Sequence, residues 1–139
     1  MPRAALLVAV LALAPGCDDA DEAIRGEVQG LTLLEGSSVT PAAERLARHG
    51  RRALPPVEAA LHTAEPAGRK NLILAIRKIG DGDAAPLLRH LALYDPAPDV
   101  RREAEWTLRS WAAEKGERGD RARAAMREVD ERRAREETG

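Results

Sequence analysis

The sequence predicts an all-α fold, a short array of stacked antiparallel helix pairs, and three observations lead to it. First, Gly68, Arg69, Leu72, Ala75, Ile76, Ile79 and Gly80 recur 32 residues later as Val100, Arg101, Ala104, Thr107, Leu108, Trp111 and Ala112. Counted from the first residue of each copy, positions 0, 4, 7, 8 and 11 make one helical stripe. A repeat of this length that carries a whole helix buries its apolar face only against neighbouring copies. Second, the periodic segments are separated by proline and glycine punctuation, with proline at helix starts and glycine at helix ends. Third, the chain has no Phe, one Tyr and two Trp, so its core must be built from Leu, Ile, Val and Ala. Small apolar side chains suit closely packed helices and suit a sheet badly.

Residues 1–16 are expected to be an export leader. Arg3 supplies a short positive start, Ala4 to Ala14 is an apolar run, and Ala14-Pro15-Gly16 places small residues before Cys17. Such a run is too short to span a bilayer core, which needs about 20 residues. Cys17 is the only cysteine, so an intramolecular disulfide and a thiolate metal cluster are both excluded. The stretch Leu13-Ala14-Pro15-Gly16-Cys17 resembles the lipobox of bacterial lipoproteins, although Ala14 stands where leucine is commonest. That resemblance implies lipidation of Cys17 as the mature N-terminus; ordinary cleavage at the same bond would leave a secreted protein instead.

Asp18, Asp19, Asp21 and Glu22 suggest a solvated tether across the start of the 17–39 region. Ile24, Val28 and Leu31 then indicate a possible first helix ending near Leu34. From residue 40 to residue 115 the repeats are expected. Thr40-Pro41 opens a degenerate copy that Gly50 closes, residues 52–62 form a helix, Gly68 to Ile79 carries the first strong copy, Ala84 to Leu93 follows, and Pro98 to Lys115 carries the second. The segment 116–139 is highly charged, with a thin apolar stripe of Ala122, Ala125, Met126 and Val129. It is either a polar end-cap for the array or a weakly docked helix that frays beyond Glu131.

The run Ile79-Gly80-Asp81-Gly82-Asp83-Ala84-Ala85-Pro86-Leu87-Leu88, followed by Asp95 and Asp99-Val100-Arg101-Arg102-Glu103-Ala104, resembles the HEAT-repeat family in its short, lyase-type bacterial form. The resemblance implies a right-handed α-solenoid with the helices that begin at the Val-Arg position on the concave side. It also implies that the basic residue at position 1, Arg69 or Arg101, pairs with an acid of the inter-helix turn, Asp95 or Asp99, as a structural ladder. Some members of that family bind iron through His-Glu pairs or help attach chromophores to proteins. None of His49, His62 and His90 is followed by Glu, and no nucleophile, phosphate-loop or acid–base set stands out, so neither a metal, a cofactor nor a catalytic residue is expected.

Position 6 lies nearly opposite the stripe on a helical wheel and holds Leu74 in one copy and Trp106 in the next. With Ile73 beside them, these are the candidate protein-binding residues, unless the C-terminal helix folds over them. Trp111, at position 11, belongs to the core. Without residues 1–16 the chain has 21 basic and 23 acidic side chains, a net charge of −2 that does not suit a phosphate backbone. Nucleic acid is therefore not expected as a partner. The function expected is non-catalytic protein binding by a lipid-anchored scaffold on the periplasmic side of a bacterial membrane, its partner another protein of the cell envelope. A small enzyme or enzyme helper is the alternative.

Overall fold

The computed structural model describes residues 17–139, which form seven α-helices: α1 (Cys17–Leu33), α2 (Val39–Ala47), α3 (Leu54–Leu61), α4 (Pro66–Ile79), α5 (Ala85–Tyr94), α6 (Pro98–Ala112) and α7 (Glu117–Thr138). The leader expected over residues 1–16 lies outside the described residues. Among those described there is no strand, and no helix is long and apolar enough to cross a membrane.

Short connections fold the chain into hairpins α1/α2, α3/α4 and α5/α6, stacked so that α2, α4 and α6 pack side by side in one row. The odd-numbered helices form the other row, with α1 against α3 and α5 against α7. Proline sets the first turn of α3, α4, α5 and α6, where its missing N–H costs no helical hydrogen bond. Gly80 ends α4 in the left-handed region, at φ 70°. The Asp81 side chain then accepts the backbone N–H of Asp83 at 2.9 Å and turns the chain into α5.

The core is the aliphatic one the composition requires. Leu72, Ala75 and Ile76 of α4 and Val100, Ala104, Thr107, Leu108 and Trp111 of α6 are all buried. The Thr107 hydroxyl escapes the desolvation cost by donating to the Glu103 carbonyl at 2.9 Å.

At the N-terminal end the structure departs from the sequence expectation. The acidic run is not a loose tether, because α1 starts at Cys17 and Asp21 pairs with Arg52 at 3.0 Å. Ile24, Val28 and Leu31, each 1 % exposed, seat α1 on α2, α3 and α4. Asn71 of α4 donates its side-chain amide to the carbonyls of Leu31 and Leu34, both at 2.9 Å, closing the C-terminus of α1. A Cβ on Gly68 would lie 2.8 Å from the Thr32 carbonyl oxygen, so the two helices cross there at a distance only glycine permits. The other copy carries Val100 at this position, fully buried.

The C-terminal segment is a single helix that runs beyond Glu131 to Thr138. Ala122, Ala125, Met126 and Val129 are buried, and α7 docks on both α5 and α6. Charged groups flank this narrow contact: Arg89 meets Glu128 and Arg109 meets Asp130, each at 3.0 Å, while Arg133 pairs with Glu105. Burial works to raise the Glu105 pKa, but the hydrogen bonds from Arg133 and Arg109 outweigh it and hold the carboxyl below the usual glutamate range. That contribution is present above the ordinary glutamate pKa and is lost as the pH falls through the lowered value. In the array α7 stands where a fourth hairpin would begin. Thirty-two residues beyond Asp95, where that hairpin would turn, stands Arg127 in mid-helix, so the array stops.

Candidate functional site

The row α2, α4, α6 presents a face on which position 6 of the two strong copies is expected to stand open, and only the second copy does so fully. Trp106 is 55 % exposed there, while Leu74 on α4 is half-buried and packs against the rim of the core. The helix α7 docks through α5 and the far side of α6 and leaves the Trp106 ring open.

Ile73 does not belong to this face. It is fully buried, as its counterpart Glu105 nearly is, with a side chain 12 % exposed. A helix in a stacked row meets a neighbour on each side as well as the helices behind it, so a sector wider than the apolar stripe is covered. Position 5 falls in that wider sector and position 6 outside it.

The residue that the sequence reasoning missed is Arg77. Its guanidinium carbon lies 4.6 Å from the centroid of the Trp106 ring, in a cation–π stack that bridges α4 and α6. The nearest ion-pair partner, Glu103, is 4.0 Å away, too far for a hydrogen bond, and the buried Arg77 Nε has no hydrogen-bond partner. A signal for it existed: position 9 is arginine in both copies, Arg77 and Arg109. Lys70 and Leu74 share this face of α4 at i, i+4, as Arg102 and Trp106 do on α6.

Of the four residues read as a ladder, the structure brings two together. Arg69 grips Asp95 with both ends of its fork, Nε to Oδ2 at 2.8 Å and Nη2 to Oδ1 at 2.9 Å, and gives a third N–H to the Ala64 carbonyl at 2.8 Å. Asp95 Oδ1 also accepts the N–H of Ala97 at 2.9 Å, so one carboxylate joins α4 to the α5–α6 turn and shapes that turn. Among the described residues Arg101 pairs with no acid. It donates to the carbonyls of Asp95 at 2.7 Å and Pro96 at 3.3 Å, while Asp99 is exposed and pairs with Arg102. The position equivalent to Asp95 one copy on is Arg127, in the middle of the continuous α7, so no turn there offers Arg101 an acid.

On the other row an open groove of about 700 Å³ separates α3 from α5, with Leu61, Leu87 and Leu91 among its lining residues and the Arg69–Asp95 pair beside them. His62 and His90 also line it, and the His90 ring lies 5.1 Å from that of Tyr94, tilted by 48°; the Tyr94 hydroxyl accepts a hydrogen bond from Arg132 of α7 at 2.8 Å. His49 lies elsewhere, half-buried, 3.2 Å from Glu27 of α1. Among the described residues no group of three or more His, Cys, Asp or Glu converges as a metal would require.

Stacked hairpins with a shared positional pattern, an outer row bearing an exposed aromatic and an arginine tie to the next turn define an α-solenoid of the repeat-scaffold class. Residues 41–109 match the family model of HEAT repeats, and that segment is similar to a HEAT-repeat domain. No curated protein and no solved structure matches the chain. The matched segment runs from α2 to near the end of α6; α1 and α7 close its two ends.

Proposed function

We propose that this protein is a non-catalytic binding scaffold that docks another protein of the bacterial cell envelope on the α4/α6 face around Leu74 and Trp106. The observation that carries the reading is the exposure of Trp106, 55 % open on a face that α7 leaves free. A large aromatic ring held in place by a stacked guanidinium is a pre-ordered anchor, and tryptophan and arginine are the residues that most often dominate interface energies. Trp106→Ala is expected to keep thermal stability within about 1 kcal/mol of wild type, as surface substitutions do. It is expected to weaken the complex by about 2 kcal/mol, roughly thirtyfold. Thermal unfolding of the variant, followed by comparison of the envelope proteins crosslinked to wild type and variant, tests the pair of expectations. An unchanged set of crosslinked proteins removes this face from the function.

The same proposal places the array on a lipid at Cys17, on the periplasmic side of a membrane. Each buried methylene contributes about 0.8 kcal/mol, so two or more acyl chains suffice for stable anchoring. Because α1 begins at Cys17 and packs into the array, a lipid there would hold the scaffold close to the bilayer rather than on a loose leash. Cys17→Ser is expected to move the protein from the membrane fraction to the soluble pool and to abolish labelling by a clickable fatty acid. A wild-type protein that takes up no label and is soluble after lysis overturns the anchor.

A further inference from the structure

Resting on the docking face proposed above, we infer that the segment it receives is acidic: a peptide stretch with an apolar side chain for Leu74 and Trp106 and carboxylates on either side of it. The basis is the placement of unmatched positive charge. On α4, Lys70 stands one turn before Leu74 and Arg77 nearly one turn after it, and on α6 Arg102 and Arg109 flank Trp106 in the same way. Each apolar centre is thus bracketed by two bases, and the bracket repeats from one helix to its neighbour.

The bases are not equally satisfied within the protein. Arg109 is held by Glu105 and Asp130, Arg102 by Asp99, and Lys78 at the rim by Glu44 at 3.4 Å. Arg77 has only Glu103, at 4.0 Å, and among the ion pairs of the described residues none involves Lys70. Arg77 is 26 % exposed at its side chain, stacked on Trp106 and already ordered. A planar guanidinium in that position can take a carboxylate through two parallel N–H donors, and little side-chain entropy remains to be lost. The two under-used cations therefore both border Leu74, and one of them also borders Trp106. A basic segment would meet like charge at Lys70 and Arg77 and leave their desolvation uncompensated, and a neutral apolar segment would do the latter.

The test uses the purified full chain and a displayed library of random dodecapeptides, with the selected peptides then synthesised and their affinities measured by anisotropy. Wild type is expected to enrich peptides in which Asp or Glu flanks a large apolar residue. Their binding should fall about thirtyfold in Trp106→Ala and about tenfold in Arg77→Gln and in Lys70→Gln. Raising NaCl from about 0.05 to 0.5 M should weaken wild type more than it weakens Arg77→Gln. Melting temperatures of all three variants accompany the titrations, and Lys70→Gln, altering a side chain in no ion pair, keeps the charge arm independent of folding. If selected peptides depend on Trp106 but carry no acidic enrichment and bind Arg77→Gln and Lys70→Gln as wild type, the acidic partner is overturned and the docking face stands. If they are indifferent to Trp106→Ala, or if nothing is selected, the acidic partner is overturned, and indifference to Trp106 removes the docking face with it.

Discussion

Trp111→Ala is expected to lose about 3–5 kcal/mol of stability, the cost of emptying a buried indole site that its surroundings cannot refill. Trp111 is 3 % exposed on α6, and the guanidinium of Arg118, from the first turns of α7, lies 5.4 Å from its ring centroid. The loss is large because natural domains hold only about 5–15 kcal/mol in total, and because an array is stable only through contacts between neighbours. The damage should spread to the α7 cap. Arg118 ties α7 to the α4 terminus through the Gly80 carbonyl at 2.9 Å, and a Cβ on Gly82 would lie 3.0 Å from the Arg118 Cα, so the approach at this corner is already close. Thermal unfolding followed by far-ultraviolet circular dichroism should show a strongly lowered midpoint for Trp111→Ala and a smaller drop for Trp111→Phe. A wild-type midpoint for Trp111→Ala would mean that α6 buries a different face.

Asp95→Ala is expected to cost about as much, roughly 3–5 kcal/mol, for a different reason. The Arg69 side chain is 12 % exposed and the Asp95 side chain 3 %, so removing the carboxylate leaves a guanidinium shielded from water with two of its donors unmet. The turn N–H of Ala97 loses its acceptor as well. Replacing both partners by apolar residues, Arg69→Met with Asp95→Leu, should recover much of the loss, because the penalty comes from the stranded charge more than from the missing attraction. Chemical denaturation of the two single variants and the double variant makes the cycle. If Asp95→Ala is within about 1 kcal/mol of wild type, the tie between α4 and the α5–α6 turn does not hold the repeats together.

The site was legible in part. Trp106 could be read from its place opposite the stripe because a single helix wheel answers that question. Ile73 could not, because whether position 5 is covered depends on how closely the next helix in the row packs, and no periodicity within one helix records that. Arg77 was missed for a related reason. A charged residue late in a helix ordinarily reads as solvated surface, and only the distance between α4 and α6 turns it into a lid over an aromatic ring. The acid partner of Arg69 could be named from the pattern, whereas the same pattern misassigned Arg101, because a repeat rule assumes a turn at the next copy and α7 runs through that position as a continuous helix.

What the sequence by itself determined is local and periodic: seven helical segments marked off by Pro and Gly, the faces they bury, and a 32-residue repeat that commits the chain to stacking. These follow from backbone sterics and from the spacing of apolar side chains along a helix, which the order of residues specifies directly. The tertiary structure alone decided how the array ends. It converted the acidic run after Cys17 into the first turns of a packed α1, with the C-terminus of that helix closed by Asn71 and its crossing permitted by Gly68. It also seated α7 on α5 and α6 through four small or medium apolar residues ringed by ion pairs. Ends are decided this way because a terminal helix has a neighbour on one side only. Its docking rests on the shape and charge of that one surface, and such complementarity exists only once the two surfaces meet.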